Sequence, residues 1–490
     1  MLPRINTGRL MTRTLRAATA LSVVLAVGAC AALPQAIRPA GPAVQQQLSP
    51  GEWPQARSDL PADQETRFGA LPNGMRYAIR KQSIPPGQAA LRLRFDAGSL
   101  MESEDQQGIA HFLEHMAFNG SKAVPEGEMI KILERLGLAF GADTNASTDF
   151  DETTYKLDLP RTDSETVDTS LMLRREAAGN LNLDLPAIDR ERGVVLAEER
   201  ARDVPAYRVY KERLSFFLKG QLPPARLPIG KVEVLQKAPA SAFRDFYARY
   251  YRPARAVLVA VGDFDVDAME AKIRARFADW QGVGPNGSDP VLGPIQPRKP
   301  EARLVVEPGA PLSMQLAWVR PADKRPDTKA TRQSEMLEQL GYSVLNRRLQ
   351  RLSRSQTPPF LGAGAFESDE YDAAELALLV VNAEPTKWQD ALVAAEREQR
   401  RLVQYGVRQD ELDREIEEIR GNLRAEAAGA ATRRQAQLAG ELVGSLADDE
   451  VVTSPAYDLQ LFEETVKGLK AERVSAAIRD SFTGQGPLLF

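Results

Sequence analysis

The sequence predicts an α+β protein of two homologous domains, each an antiparallel-dominated sheet flanked by helices. Strand-like and helix-like stretches fall in blocks rather than in regular alternation, which disfavours a parallel, doubly wound sheet. After a Pro-rich joint at Gly287–Pro300 (GSDPVLGPIQPRKP) the order of elements starts again, as a degenerate repeat does. The roughly 430 residues that follow an N-terminal leader and tether are too many for one core and suit two domains of about 200.

Residues 1–30 read as a leader. Arg4, Arg9, Arg13 and Arg16 precede an apolar run from Ala17 to Val27, too short to span a bilayer but right for a secretory signal. Met11 is an alternative start, since Arg13 and Arg16 still supply the charged region. Val27-Gly-Ala-Cys30 places small residues before the only cysteine and resembles a bacterial lipoprotein box, with Cys30 the lipidated first residue of the mature chain. An ordinary leader cut at Ala29-Cys-Ala31 is the alternative. The lipoprotein reading puts the protein in the bacterial cell envelope, periplasmic and lipid-anchored, and Ala31 after the cysteine favours the outer membrane by analogy. Residues 31–63 are rich in Pro and Gln and have little to bury, so they read as a flexible tether. A mature body without further cysteine has no disulfides.

The first domain is expected over 64–286. Asn73-Gly74 leads into alternating Met75, Tyr77 and Ile79, and Leu91, Leu93 and Phe95 alternate before Gly98. A helix through Gly108–Phe118 follows, then one near Glu128–Leu136, an edge-like strand at Thr153–Leu159, and helices rich in Arg and Glu. Helix Ser241–Tyr251, apolar strand Arg255–Val261 and helix Val266–Trp280 close the unit. The second domain, 301–490, opens with strands near Ala302–Val306 and Ser313–Trp318 and a helix ending in Tyr342–Leu349, where the first has its histidine-bearing helix. This copy contains no histidine. Ser475–Phe482 parallels Ser241–Tyr247, and Pro487–Phe490 parallels the start of the strand at Ala256–Val259. The final helix of the repeat has no counterpart, so the sequence reads as C-terminally truncated.

The net charge of −4 shows no basic surplus, which argues against nucleic acid as a partner. Acid-base blocks such as Arg414–Arg420 read as solvated helix faces. The two histidines of the chain are more informative: His111 and His115 stand four apart with Glu114 between them. At about 100° per residue, Ile109, Phe112, Leu113, Met116 and Ala117 form an apolar stripe, and His111, Glu114, His115 and Phe118 share the opposite side. Imidazoles one turn apart can bind one metal ion, and Zn²⁺ is the usual occupant of His and carboxylate sites. A third ligand is sought in Leu185–Arg200. A helix after Pro186 places Glu191, Val194, Val195 and Glu198 on one face; Glu199, about 100° away, is the alternative to Glu198.

The order His-x-x-Glu-His is an inverzincin signature. Followed by Glu191-Arg-Gly-Val-Val-Leu-Ala-Glu198, it resembles the pitrilysin/insulinase family of zinc peptidases, which includes the mitochondrial processing peptidases. Leu71–Gly74, Met116–Ser121 and Gly141–Ser147 match as well. The resemblance implies a single Zn²⁺ held by His111, His115 and Glu198, with Glu191 supporting the ligands from behind. It places Asn145 and Ala146 on an edge strand that pairs with an extended substrate. Such a metal lowers the pKa of water towards about 7 and polarises a peptide carbonyl; Glu114 then takes the proton and passes it to the departing amine. The implied activity is zinc-dependent endoproteolysis of peptides or small unfolded proteins. The implied partner is a second two-domain half, in cis beyond residue 490 or in trans, which supplies an Arg/Tyr pair. A non-catalytic binding or assembly subunit that keeps the fold, and a zinc lyase or other hydrolase, are the competing readings.

Overall fold

A computed structural model describes residues 49–490; the leader, Cys30 and the tether as far as residue 48 lie outside the described residues. Eleven strands form two sheets among the described residues. The first contains β1 (Thr66–Ala70), β2 (Arg76–Lys81), β3 (Ala89–Phe95), β4 (Thr144–Thr148), β5 (Thr153–Leu159) and β6 (Ala256–Gly262), in the order β1-β2-β6-β3-β5-β4. The second contains β7 (Glu301–Ala302), β8 (Ser313–Arg320), β9 (Gly362–Asp369), β10 (Glu375–Asn382) and β11 (Gln485–Leu489), in the order β7-β11-β8-β10-β9. Helices α1 (Ile109–Asn119), α2 (Glu128–Arg135), α3 (Ser164–Gly179), α4 (Leu185–Arg202), α5 (Pro205–Phe217), α6 (Val232–Lys237), α7 (Ala240–Tyr250) and α8 (Val266–Phe277) belong to the first half of the sequence. The second half carries α9 (Lys329–Ser353), α10 (Trp388–Tyr405), α11 (Gln409–Gly429), α12 (Gln435–Ala447), α13 (Pro455–Val466) and α14 (Ala471–Ser481).

The expected α+β repeat is visible in the pairing. Strand β6 lies parallel to β2 and antiparallel to β3, and β11 lies parallel to β7 and antiparallel to β8. All other neighbours are antiparallel. Strand β11 thus takes the place of β6, as the match of Pro487–Phe490 to Ala256–Val259 predicts. Helix α9 follows β8 as α1 follows β3, and α11 packs on α9 as α4 packs on α1.

Four sequence expectations need correction. The strand at Met75 is preceded by β1, and Pro72-Asn-Gly74 is the turn between them, with Gly74 at φ +90° and Asn73 Oδ1 accepting from Met75 N at 3.1 Å. Strand β5 is not an edge, because β3 and β4 flank it. Its alternation arises because Thr153, Tyr155, Leu157 and Leu159 face the core while Lys156 and Asp158 pair with one another on the other side. The strand expected at Ala302–Val306 shrinks to two residues, since β11 offers it only Leu488 and Leu489 as register partners. Within the expected tether, Ser49–Asp63 is packed: Trp53 meets Phe68 edge-on at 4.9 Å and Leu60 enters the second core. Polar contacts add to these two side chains: Trp53 Nε1 donates to Gly69 O at 3.1 Å, Asp63 N donates to Val452 O at 2.8 Å, and the Asp63 carboxylate pairs with Arg80.

Each sheet buries both faces, and the two halves cover one another. One face of the first sheet packs Ile79, Leu91, Leu93 and Leu258 against Phe112 and Leu113 of α1 and Phe243 of α7. Its other face, with Ala78, Ala90, Val257, Val259 and Val261, is covered by Leu438, Leu442, Val443 and Leu446 of α12, from the second half of the sequence. The second sheet buries Met314, Leu316 and Leu379 under α9. Its opposite face, with Ala317, Val319, Leu376 and Leu488, meets Val209, Leu214 and Phe217 of α5 from the first half. Each such buried Leu, Val or Phe contributes about 1.5–3 kcal/mol, so the exchange of helices is a principal attachment between the halves.

Candidate metal centre

The site begins with the start of α1. Gly108 at its N-cap has φ +102°, and a Cβ there would come within 2.8 Å of Leu235 Cδ2, so glycine is required on both counts. The Glu102 carboxylate accepts from Gly108 N at 2.9 Å and from Ala110 N at 2.8 Å, satisfying amide groups that a helix start leaves free. Burial pushes the Glu102 carboxyl up to about 8, against the pull of those two bonds and of Arg226. The apolar stripe Ile109, Phe112, Leu113, Met116 and Ala117 is buried as its spacing predicts. His111, Glu114 and His115 are thereby turned towards α4 and β4.

Helix α4 is started by Asp184, whose side chain accepts from Ala187 N, with Pro186 in its first turn. It brings Glu191 and Glu198, seven residues apart, against the two histidines. The expected face is narrower than the spacing suggests: Val195 is buried, but Val194 is 51% exposed. His111, His115 and Glu198 each offer an atom, all within 4.8 Å of one another. His115 Nε2 lies 3.2 Å from Glu198 Oε2, and His111 Nε2 lies 3.5 Å from Glu198 Oε1. A tetrahedral ion with bonds of 2.0–2.1 Å spaces its ligands about 3.4 Å apart, so donor type and spacing fit one zinc ion. Glu199 is outside this group.

The groups behind the candidate ligands are ordered too. His115 Nδ1 hydrogen-bonds Glu191 Oε1 at 2.9 Å, which leaves its Nε2 directed at the gap between ligands. Glu191 Oε2 accepts from Asn119 Nδ2 at 2.6 Å. Burial opposes charge on the His115 ring, yet the bond to Glu191 and the nearby carboxylates raise its pKa overall. Burial opposes charge on Glu191 as well, and its bonds to His115 and Asn119 lower its pKa. Glu198 is held ionised, at about 2, chiefly by its hydrogen bond with His111, against burial and with help from Arg202. Glu114 is buried and accepts from Thr148 Oγ1 at 2.7 Å through Oε2.

Asn145 and Ala146 lie on β4, opposite Lys156 and Tyr155, and β4 is an edge of the sheet among the described residues. The sequence reading did not single out Asn119, Thr148 or Arg202. Asn119 follows His115 by four residues on one helix face, and Arg202 follows Glu198 by four. Thr148 shares a strand face with Ala146, the face turned to α1. Spacing was therefore a usable signal for Asn119 and Arg202, whereas the role of Thr148 depends on a contact between separate elements.

Residues 78–216 match the family described as Insulinase (Peptidase family M16), and residues 237–419 match the Peptidase M16 inactive domain. The chain belongs to the M16 (pitrilysin/insulinase) family of peptidases. It is similar to the "Probable zinc protease PqqL" of Haemophilus influenzae, 29% identical over 409 residues, 81% of this chain and 43% of that protein. The protein of the same name from Escherichia coli is 30% identical over 359 residues, 72% of this chain and 38% of the relative. The crystal structure of the first half of the periplasmic protease PqqL from Escherichia coli superposes with a TM-score of 0.80 at 26% identity, covering 86% of this chain and 90% of that one. This chain thus spans less than half the length of the curated relatives it matches. No helix among the described residues is long and apolar enough to cross a membrane.

Proposed function

We propose that this chain is the zinc-binding, catalytic half of a metalloendopeptidase that cleaves peptides or small unfolded proteins. The observation that carries the reading is the convergence of His111, His115 and Glu198 on one gap, with the Glu114 carboxylate beside them. A bound Zn²⁺ supplies Lewis-acid polarisation of a peptide carbonyl and acidifies water. His111 Nε2, His115 Nε2 and the Glu198 carboxylate hold the ion, and Glu191 fixes the His115 ring. Glu114 takes a proton from the attacking water on a carboxylate oxygen and returns it to the departing amine, a role worth roughly 10²–10⁴ in rate. The free edge of β4, at Asn145 and Ala146, accepts an extended substrate backbone as an added strand.

The greater length of the relatives supports a second two-domain half, in cis or in trans, that completes the enclosure and supplies the Arg/Tyr pair. The leader motif and the periplasmic relative support a location in the cell envelope with a lipid on Cys30. A non-catalytic binding subunit is the second reading, because residues 237–419 match the inactive domain of the family. The first half of the sequence speaks against it, as Glu114 has no structural need to sit beside three convergent ligands.

Elemental mass spectrometry on protein beginning after Cys30 tests the ligand set. About one zinc per chain in the wild type and none in His111→Ala is expected. Glu114→Gln should keep the zinc and lose peptide hydrolysis. Full hydrolysis by Glu114→Gln overturns the base assignment, and well-folded protein without zinc favours the binding subunit.

A further inference from the structure

We propose that the turn at Tyr371–Asp372, in the metal-free half, is a positioning element for Glu114: it holds the β4–β5 hairpin where Thr148 reaches that carboxylate. The proposal rests on the reading of Glu114 as the base.

Thr148 is the last residue of β4, and its hydroxyl is the donor that Glu114 Oε2 accepts, at 2.7 Å. Its position depends on the loop that follows, Asp149–Glu152, closed by Asp149 N to Glu152 O at 2.8 Å. That loop is fixed from two sides. On one side Leu100 N donates to Phe150 O at 2.8 Å, and the backbone approaches Gly98 so closely that a Cβ there would meet Asp149 O at 2.3 Å. On the other side the fully buried Phe150 ring lies 4.0 Å from the Tyr371 ring, centroid to centroid. The Tyr371 hydroxyl is 2.9 Å from that of Tyr210 on α5.

Tyr371 and Asp372 are the central residues of the turn between β9 and β10, and both have φ +59°. Neither is glycine, so this backbone is held against its own preference by its surroundings. The surroundings are specific: Asp372 N donates to Asp369 Oδ1 at 2.8 Å, Gln221 Nε2 donates to Ala373 O at 2.7 Å, and Glu370 pairs with Arg213 at 2.8 Å. A turn anchored this firmly, with its ring against the loop that carries Thr148, acts on Glu114 through two side chains. The repeat without histidines thereby sets the geometry of the one that has them.

Hydrogen exchange on the full chain tests this. In Tyr371→Ala, amides of 144–159 should exchange about tenfold faster than in the wild type, while those of 66–81 stay unchanged and zinc remains about one per chain, and kcat for a peptide should fall with KM unchanged, a split that loosening of the hairpin alone does not produce. Tyr371→Phe, which keeps the ring, should stay within about threefold. Phe150→Leu removes the same ring contact from the other side and gives the same readout if Tyr371→Ala does not fold. Exchange of 144–159 at the wild-type rate in either ring-removing variant overturns the proposal. That outcome differs from failure of the base assignment, in which Glu114→Gln retains hydrolysis whatever the exchange rates.

Discussion

Replacing Arg213 by Met tests how the two halves are held together. Arg213 on α5 and Glu370 in the β9–β10 turn are each only 7% exposed and are joined by Nη2 to Oε1 at 2.8 Å and Nη1 to Oε2 at 3.3 Å. Arg213 Nε also donates to Gln315 Oε1 at 2.8 Å, and the guanidinium lies 5.1 Å from the Phe217 ring. Met fills a similar volume but leaves Glu370 as a buried, unpaired carboxylate, a change that costs about 3–5 kcal/mol. In Arg213→Met/Glu370→Met the ion pair is gone from both sides, and Gln315 and the Ser368 hydroxyl each lose one hydrogen-bond partner, so the double variant should lie within about 1–2 kcal/mol of the wild type. Glu370→Met strands the buried Arg213 in the same way and should cost a similar amount, so the coupling between the two positions, both single losses less that of the double variant, is about 4 kcal/mol or more, well above that of an exposed pair. Urea unfolding of all four proteins, followed by tryptophan fluorescence, reads it out, with a midpoint shift on the order of 1 M for Arg213→Met. A loss below about 1 kcal/mol in Arg213→Met, or single-variant losses that add up to that of the double variant, would refute the reasoning.

Glu191→Gln should weaken zinc binding by roughly 10–100-fold by loosening the His115 ring; competition against a chelating dye measures it, and unchanged affinity removes Glu191 from the site. Burial, and then the charge of Asp372, push Asp369 up to about 7 from its ordinary 3.8. Because the folded-state value is the higher one, the contribution of this residue to stability is complete below its ordinary value and is lost as pH rises through about 7. Between pH of about 5 and 8, the urea midpoint of Asp369→Asn should fall less than that of the wild type, and parallel curves would exclude this residue.

The histidine-bearing helix was legible because two independent patterns coincide there: five apolar residues at helical spacing and the only two histidines on the other side. The third candidate ligand was harder to read, since Glu198 and Glu199 are adjacent and the packing of α4 on α1 brings only Glu198 to the two histidines. Strand β5 was misread because polar residues alternate with apolar ones on any strand with one apolar face, and its neighbour β4 is too short and polar to be read from pattern, so that only the family resemblance marked Asn145 and Ala146 as an edge. Helices α5 and α12 have readable apolar residues, but their target sheets lie in the other half of the sequence. Nothing in a local pattern says which sheet a helix will cover. Thr148 shows the same limit at smaller scale, for its hydroxyl matters only through a carboxylate 34 residues away.

The crossed placement of α5 and α12 also constrains how such a protein can change over generations. A chain cut at the joint between the sheets would leave each sheet with an apolar face and the helix meant for the other, so the fragments should cling to one another rather than disperse. Neither copy of an ancestral duplication can then drift alone. A larger residue at Val259 needs a smaller one on α12, and one at Val319 needs the same from α5. A descendant that dispensed with one copy would first have to grow a new cover for the sheet it kept.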